Sequence, residues 1–125
     1  MARILVVDDS KVARMTLASA FREAGHEVIE AEDGRQGVEA YRTHRPAVTF
    51  LDLTMPVMDG FEALAEIRHL DPKAKVVMVT ADTKPATLMR IEALQAFSHL
   101  RKFPTKEGIL EALEAALAGR KPPTR

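Results

Sequence analysis

The chain has 125 residues, 46% of them apolar, with 18 basic and 18 acidic side chains, no cysteine and no tryptophan. That length suits one domain with its own core, excludes disulfides and thiolate metal sites, and pairs with a zero net charge that speaks against a nucleic-acid binder. No apolar run reaches membrane-spanning length and the N-terminus lacks a signal-peptide pattern, so a cytoplasmic protein without membrane contact is expected.

Arg3 to Val7 reads as a first strand that closes on Asp8-Asp9. Ser10 is placed to cap a helix from Lys11 to Ala24, with Val12, Met15, Leu17, Phe21 and Ala24 at helical spacing and Gly25 as a left-handed stop. Val28-Ile29 centres a second strand, Asp33-Gly34 turns the chain, and a helix follows to His44 with Val38 and Tyr41 inward. Ala47 to Leu53 is a third strand, and the loop from Met55 to Gly60 is punctuated by Pro56 and Asp59-Gly60. Phe61, Leu64, Ile67 and Leu70 mark a helix that stops at Asp71-Pro72. Val76 to Thr80 is a fourth strand, and Pro85 opens a helix with Leu88, Ile91 and Leu94 inward. His99 to Phe103 gives a short fifth strand; Thr105 caps a last helix, with Ile109, Leu110, Leu113 and Leu117 inside, ending at Gly119. Residues 1–119 make the domain, and Arg120 to Arg125 a short basic tail that is expected to fray.

Five apolar strands alternating with five amphipathic helices predict an α/β fold: a doubly wound parallel sheet of order 2-1-3-4-5, covered on both faces. Such a sheet binds ligands beyond the carboxyl ends of its strands, where the strand order reverses between strands one and three. Those strands end in Asp8-Asp9 and Asp52, so the three acids should meet. Asp52 interrupts the apolar run of Val48, Phe50, Leu51 and Leu53, a costly place for an unpaired charge. At about 4 Å and an effective dielectric near 20, each pair of carboxylates repels by roughly 4 kcal/mol. A bound proton or a divalent cation relieves this, and an oxygen-only site suits Mg²⁺. Strands four and five bring Thr80 and Lys102 toward the same crevice, a hydroxyl and an ammonium suited to a phosphoryl group. Each has an ordinary reading alone: the acids favour a helix N-terminus, Thr80 bonds to backbone, and Lys102 is solvated.

Together these residues resemble a response-regulator receiver domain of two-component signalling, the flavodoxin/CheY-like type. Val6-Val7-Asp8-Asp9-Ser10 is similar to the family's acidic pair, and Asp52-Leu53-Thr54-Met55-Pro56-Val57-Met58-Asp59-Gly60-Phe61 to its phosphoacceptor loop. Thr80-Ala81 and Lys102 stand where the family has its switch hydroxyl and its lysine. The resemblance implies that Asp52 accepts a phosphoryl group from a histidine kinase or phosphotransfer protein. It implies Mg²⁺ on Asp9, Asp52 and the Thr54 carbonyl, with Asp8 acting through a water. It further implies that Thr80 biases a protein-binding face read by a downstream protein, in a monomer or weak dimer that is not itself an enzyme.

Three departures from the family pattern stand out. The order Lys102-Phe103-Pro104 replaces lysine-proline, so the family's cis bond is expected at Phe103–Pro104 and Lys102 to be aimed differently. His99 stands at the switch-aromatic position, and Leu94-Gln95-Ala96 puts Gln95 where glycine is usual. Two rival readings are a receiver-like interaction module that is never phosphorylated and a small Mg²⁺-dependent phosphohydrolase. The hydrolase lacks an acid two residues past Asp52, where Thr54 stands.

Overall fold

The computed structural model describes residues 1–121. The parallel sheet contains β1 (Arg3–Val7), β2 (Glu27–Ala31), β3 (Val48–Asp52), β4 (Val76–Thr80) and β5 (Ser98–Arg101), in the predicted order β2-β1-β3-β4-β5. Helices α1 (Lys11–Glu23), α2 (Gly34–His44), α3 (Gly60–Leu70), α4 (Pro85–Ala93) and α5 (Lys106–Ala118) alternate with the strands. The register sets Val7 beside Leu51 and Asp52 beside Val79, so strand ends that carry polar groups lie along one edge.

Strand alternation divides the core. Leu5, Val7, Leu51, Val76 and Met78 face α2, α3 and α4, meeting Val38, Tyr41, Leu64, Ile67 and Ile91. Ile4, Val6, Val48, Phe50, Val77 and Val79 face α1 and α5, meeting Leu17, Phe21, Ile109 and Leu113. The Phe21 and Phe50 rings pack at 4.7 Å between centroids, locking α1 against the central strand. β3 and β4 are buried on both faces, which is why their sequences run apolar instead of alternating.

Local chemistry starts and stops the helices largely as expected. Ser10, Asp33, Asp59 and Thr105 each accept a backbone N–H of the helix that follows, and Gly25 and Gly119 take positive φ beyond α1 and α5. Helix phase departs from the reading in two places. Val12 and Met15 are exposed, because α1 docks through Ala13, Leu17, Ala18, Ala20 and Phe21; they line a groove between α1 and α5 instead. Leu117 is likewise exposed on the outer side of α5, where Ala116 and Leu113 make the contact. The start of the tail is held: Lys121 donates to the Phe97 and Ala96 carbonyls, and its ammonium lies 4.4 Å from the Phe97 ring centre. The rest of the predicted tail, residues 122–125, lies outside the described residues.

Candidate metal centre at the carboxyl end of the sheet

The three acids do meet. β1 delivers Asp8 and Asp9 and β3 ends in Asp52, and one carboxylate oxygen of each lies within 4.8 Å of the others. Asp8 is 1% and Asp52 4% exposed, whereas Asp9 faces solvent. Lys102, just past β5, places its Nζ 3.0 Å from Asp52 Oδ1 and 3.2 Å from Asp8 Oδ2. One ammonium thus offsets part of the repulsion among three carboxylates.

Protonation follows the burial. Desolvation, with the charges of Asp8 and Asp9, outweighs the Lys102 hydrogen bond and charge and leaves Asp52 raised to about 6. Burial alone pulls the Lys102 ammonium downward, but the hydrogen bond and charge of Asp52, with Asp8, outweigh it and leave it above the ordinary lysine value. A divalent cation fits the donor set: Asp8 Oδ2 is buried with the Lys102 ammonium at 3.2 Å as its one neighbouring cation, beside two more carboxylates, with only oxygen ligands available. Asp8 Oδ1 is already fixed by the Ser10 N–H at 2.9 Å.

The loop after Asp52 is held by close backbone approach. A side chain at Gly60 would put a Cβ 2.3 Å from the Asp52 carbonyl, and one at Gly34 would put it 2.2 Å from the Met58 carbonyl. The start of α2 and the start of α3 therefore press on this loop from two sides, and only glycine permits either contact. Thr54 is exposed in the loop, and Val57 adopts φ +68 with its side chain 81% exposed.

Thr80 ends β4 and is 2% exposed. Its hydroxyl donates to the Asp82 carbonyl at 3.3 Å and accepts the Asp82 N–H at 2.9 Å. The Asp82 carboxylate in turn accepts from the Lys84 N–H at 3.0 Å and the Thr87 hydroxyl at 2.7 Å. The hydrogen bond and ion pair with the Lys84 side chain, then these two bonds, hold Asp82 down at about 2. His99 stands apart: it is exposed on β5, opposite Met78, and its side chain makes no hydrogen bond or ion pair among the described residues.

Two expectations are corrected here. The cis peptide bond is Lys102–Phe103, not Phe103–Pro104. Lys102 is aimed at the acids despite the altered order, because its N–H pairs with the Thr80 carbonyl at 2.8 Å and extends β5 by one residue toward the pocket. Gln95 takes the left-handed position after α4 at φ +63, and its side-chain oxygen accepts from Arg68 at 2.8 Å. Sequence reasoning missed Arg14 and Asp82. Arg14 shares the buried arc of α1 with Leu17 and Phe21 at three- and seven-residue spacing, which was its only signal. Asp82 precedes a proline-started helix by three residues, an acid suited to its first turn.

Comparison with known proteins agrees with this geometry. The family described as the response regulator receiver domain matches residues 4–114. The chemotaxis protein CheY of Bacillus subtilis is 43% identical over 95 residues, 75% of this chain and 78% of that protein. The solved structure of Vibrio cholerae chemotaxis protein CheY4 superposes with a TM-score of 0.89 at 33% identity, covering 94% of this chain and 99% of that one. A CheX–CheY–BeF3–Mg complex from Borrelia burgdorferi contains a chain with TM-score 0.87 and 29% identity, covering 90% of this chain and 87% of that one.

Proposed function

Because the chain belongs to the response regulator receiver domain family, we propose that Asp52 is the phosphoacceptor of a two-component signalling step. A histidine kinase or a phosphotransfer protein is the donor. An Asp52 carboxylate oxygen attacks the phosphorus of a donor phosphohistidine; the phosphorus–nitrogen bond breaks, the imidazole leaves and takes a proton, and an acyl phosphate remains. The observation that carries this reading is the juxtaposition of Asp8, Asp9 and Asp52 with the Lys102 ammonium 3.0 Å from Asp52.

Asp9, Asp52 and the Thr54 carbonyl are the residues to hold Mg²⁺, with Asp8 acting through a water. When bound, the metal neutralises charge on the incoming phosphoryl oxygens. Lys102 is already placed to pair with a phosphoryl oxygen as it leaves the Asp52 carboxylate. Asp8 is kept rigid by its Ser10 bond, so the pocket is set before the donor arrives. Thr80 must give up its two bonds to Asp82 to reach a phosphoryl oxygen on Asp52. That exchange links Asp52 to the first turn of α4, and so to the face a downstream protein reads. His99 belongs to that face in its present exposed position. In this role the chain turns over no external substrate beyond its own phosphotransfer and dephosphorylation, acting in the cytoplasm as a monomer or weak dimer.

Neither rival is favoured. The altered segment from Gln95 to Pro104 is the one feature that suits a non-phosphorylated module, and the aim of Lys102 into the acids weighs against it. The test is intact mass after incubation with acetyl phosphate and Mg²⁺. One added phosphoryl group on the native chain is expected, absent in Asp52→Ala and abolished by chelator. No gain on a folded native chain that binds Mg²⁺ would overturn the reading.

A further inference from the structure

Five polar or charged residues are buried among the described residues: Asp8, Arg14, Thr49, Asp52 and Thr80. Thr49 lies inside β3, Asp8 and Asp52 belong to the pocket, and Thr80 ends β4 with its hydroxyl on Asp82. Arg14 remains to be explained. It is 8% exposed on a helix face that is otherwise apolar, and an arginine leaves water only where its donors are met. Its NH1 donates to the Asp8 carbonyl at 2.8 Å and its Nε to Glu30 Oε1 at 3.0 Å, and its NH2 lies 3.7 Å from Glu32 Oε1.

The bond to Asp8 acts on the peptide that carries both β1 acids. The Asp8 carbonyl and the Asp9 nitrogen share one rigid plane, so fixing that oxygen fixes how Asp9 leaves Asp8. On its other side Asp8 is held by its own N–H on the Ala31 carbonyl at 3.1 Å. Asp9 has no hydrogen bond of its own among the described residues, so that plane is the fixed reference from which its backbone and side chain depart. Glu30, which also accepts from Arg22 at 3.1 Å, and Glu32 offset the guanidinium charge, so it does not oppose a cation in the pocket.

We propose that Arg14 is a positioning residue for the metal: anchored on Glu30, it orients the Asp8–Asp9 peptide so that the two carboxylates converge on a divalent cation. This rests on the metal reading given above. Calorimetric titration with Mg²⁺ alone tests it, on the native chain, Arg14→Ala, Arg14→Lys and Glu30→Gln, with melting curves and the Asp9 and Ser10 amide resonances recorded on each. Arg14→Ala is expected to weaken Mg²⁺ binding about tenfold, the usual effect of removing a group that orients a metal ligand. Arg14→Lys, still able to reach the Asp8 carbonyl, recovers part of the loss, and Glu30→Gln shows a smaller one. Unchanged or tighter binding in a folded Arg14→Ala, with only a lower melting temperature, overturns the proposal. If that variant does not fold, unchanged affinity in both Arg14→Lys and Glu30→Gln overturns it. Failure of the native chain to bind Mg²⁺ overturns the metal reading instead, and this proposal with it.

Discussion

Asp52 meets two opposed demands: it must be ionised to act, yet it is buried beside two other acids. Its folded value of about 6 lies above the ordinary 3.8, so between those values the folded chain holds a proton that the unfolded chain has released. Stability therefore falls as pH rises from about 4 to 6 and stays reduced above that. Asp52→Asn removes the penalty while keeping an oxygen for Lys102, with Asp8 and Asp9 left charged. In metal-free buffer at pH 7.5 it is expected to gain about 2 kcal/mol, on the order of a two-unit shift that already sets the Lys102 attraction against desolvation and the neighbouring acids. Urea unfolding at pH 7.5 and at pH 3.5 checks this; an equal gain at both would refute it. The three pocket acids were legible in the sequence because a carboxylate that closes an apolar strand is costly unless a proton or a cation meets it. Arg14 was not, because one charge on a helix reads as solvated until the helix phase is known.

At the scale of the element, α4 is the least conventionally built. Its N-cap residue Lys84 makes no side-chain cap; Asp82, two residues upstream, instead braces the helix start by accepting the Lys84 N–H and the Thr87 hydroxyl. The backbone of the same residue holds the Thr80 hydroxyl while its carboxylate holds Lys84 and Thr87, so one residue ties a strand end to a helix start. Asp82→Ala is expected to speed amide hydrogen exchange through the first turn of α4, leaving α1 and α5 protected as before; unchanged exchange at residues 84–88 would remove Asp82 from that role. The far end of α4 shows why its reading stayed incomplete. Gln95 takes a glycine-like conformation with its side chain bonded by Arg68 of α3, and a contact 27 residues away leaves no local trace. The position of Val12 and Met15 was missed for a related reason: their spacing fits a helix, but α1 docks through small residues that a search for large apolar side chains passes over.

For the whole molecule, the alternation of strands and helices was enough to predict a parallel sheet covered on both faces, while the order came with the flavodoxin/CheY-like type that the chain resembles. The order places uncompensated negative charge at one end of the sheet, where it works against the fold until a cation arrives. Mg²⁺ is therefore expected to raise the melting temperature, by about 2.7 kcal/mol of stability at a hundredfold excess over its dissociation constant. Chelator should reverse the shift, and Asp9→Asn should shrink it; a melting curve indifferent to Mg²⁺ would deny that the acids bind it. The exposed Val57 and Phe103, each 81% accessible, stand on two different loops around the same pocket. In a chain without cysteine, Val57→Cys and Phe103→Cys place the only two thiols there, away from the packed core. A pair of spin labels at those thiols turns the pocket's rim into a ruler, and the spacing between them can be followed by electron resonance as phosphoryl donor is added.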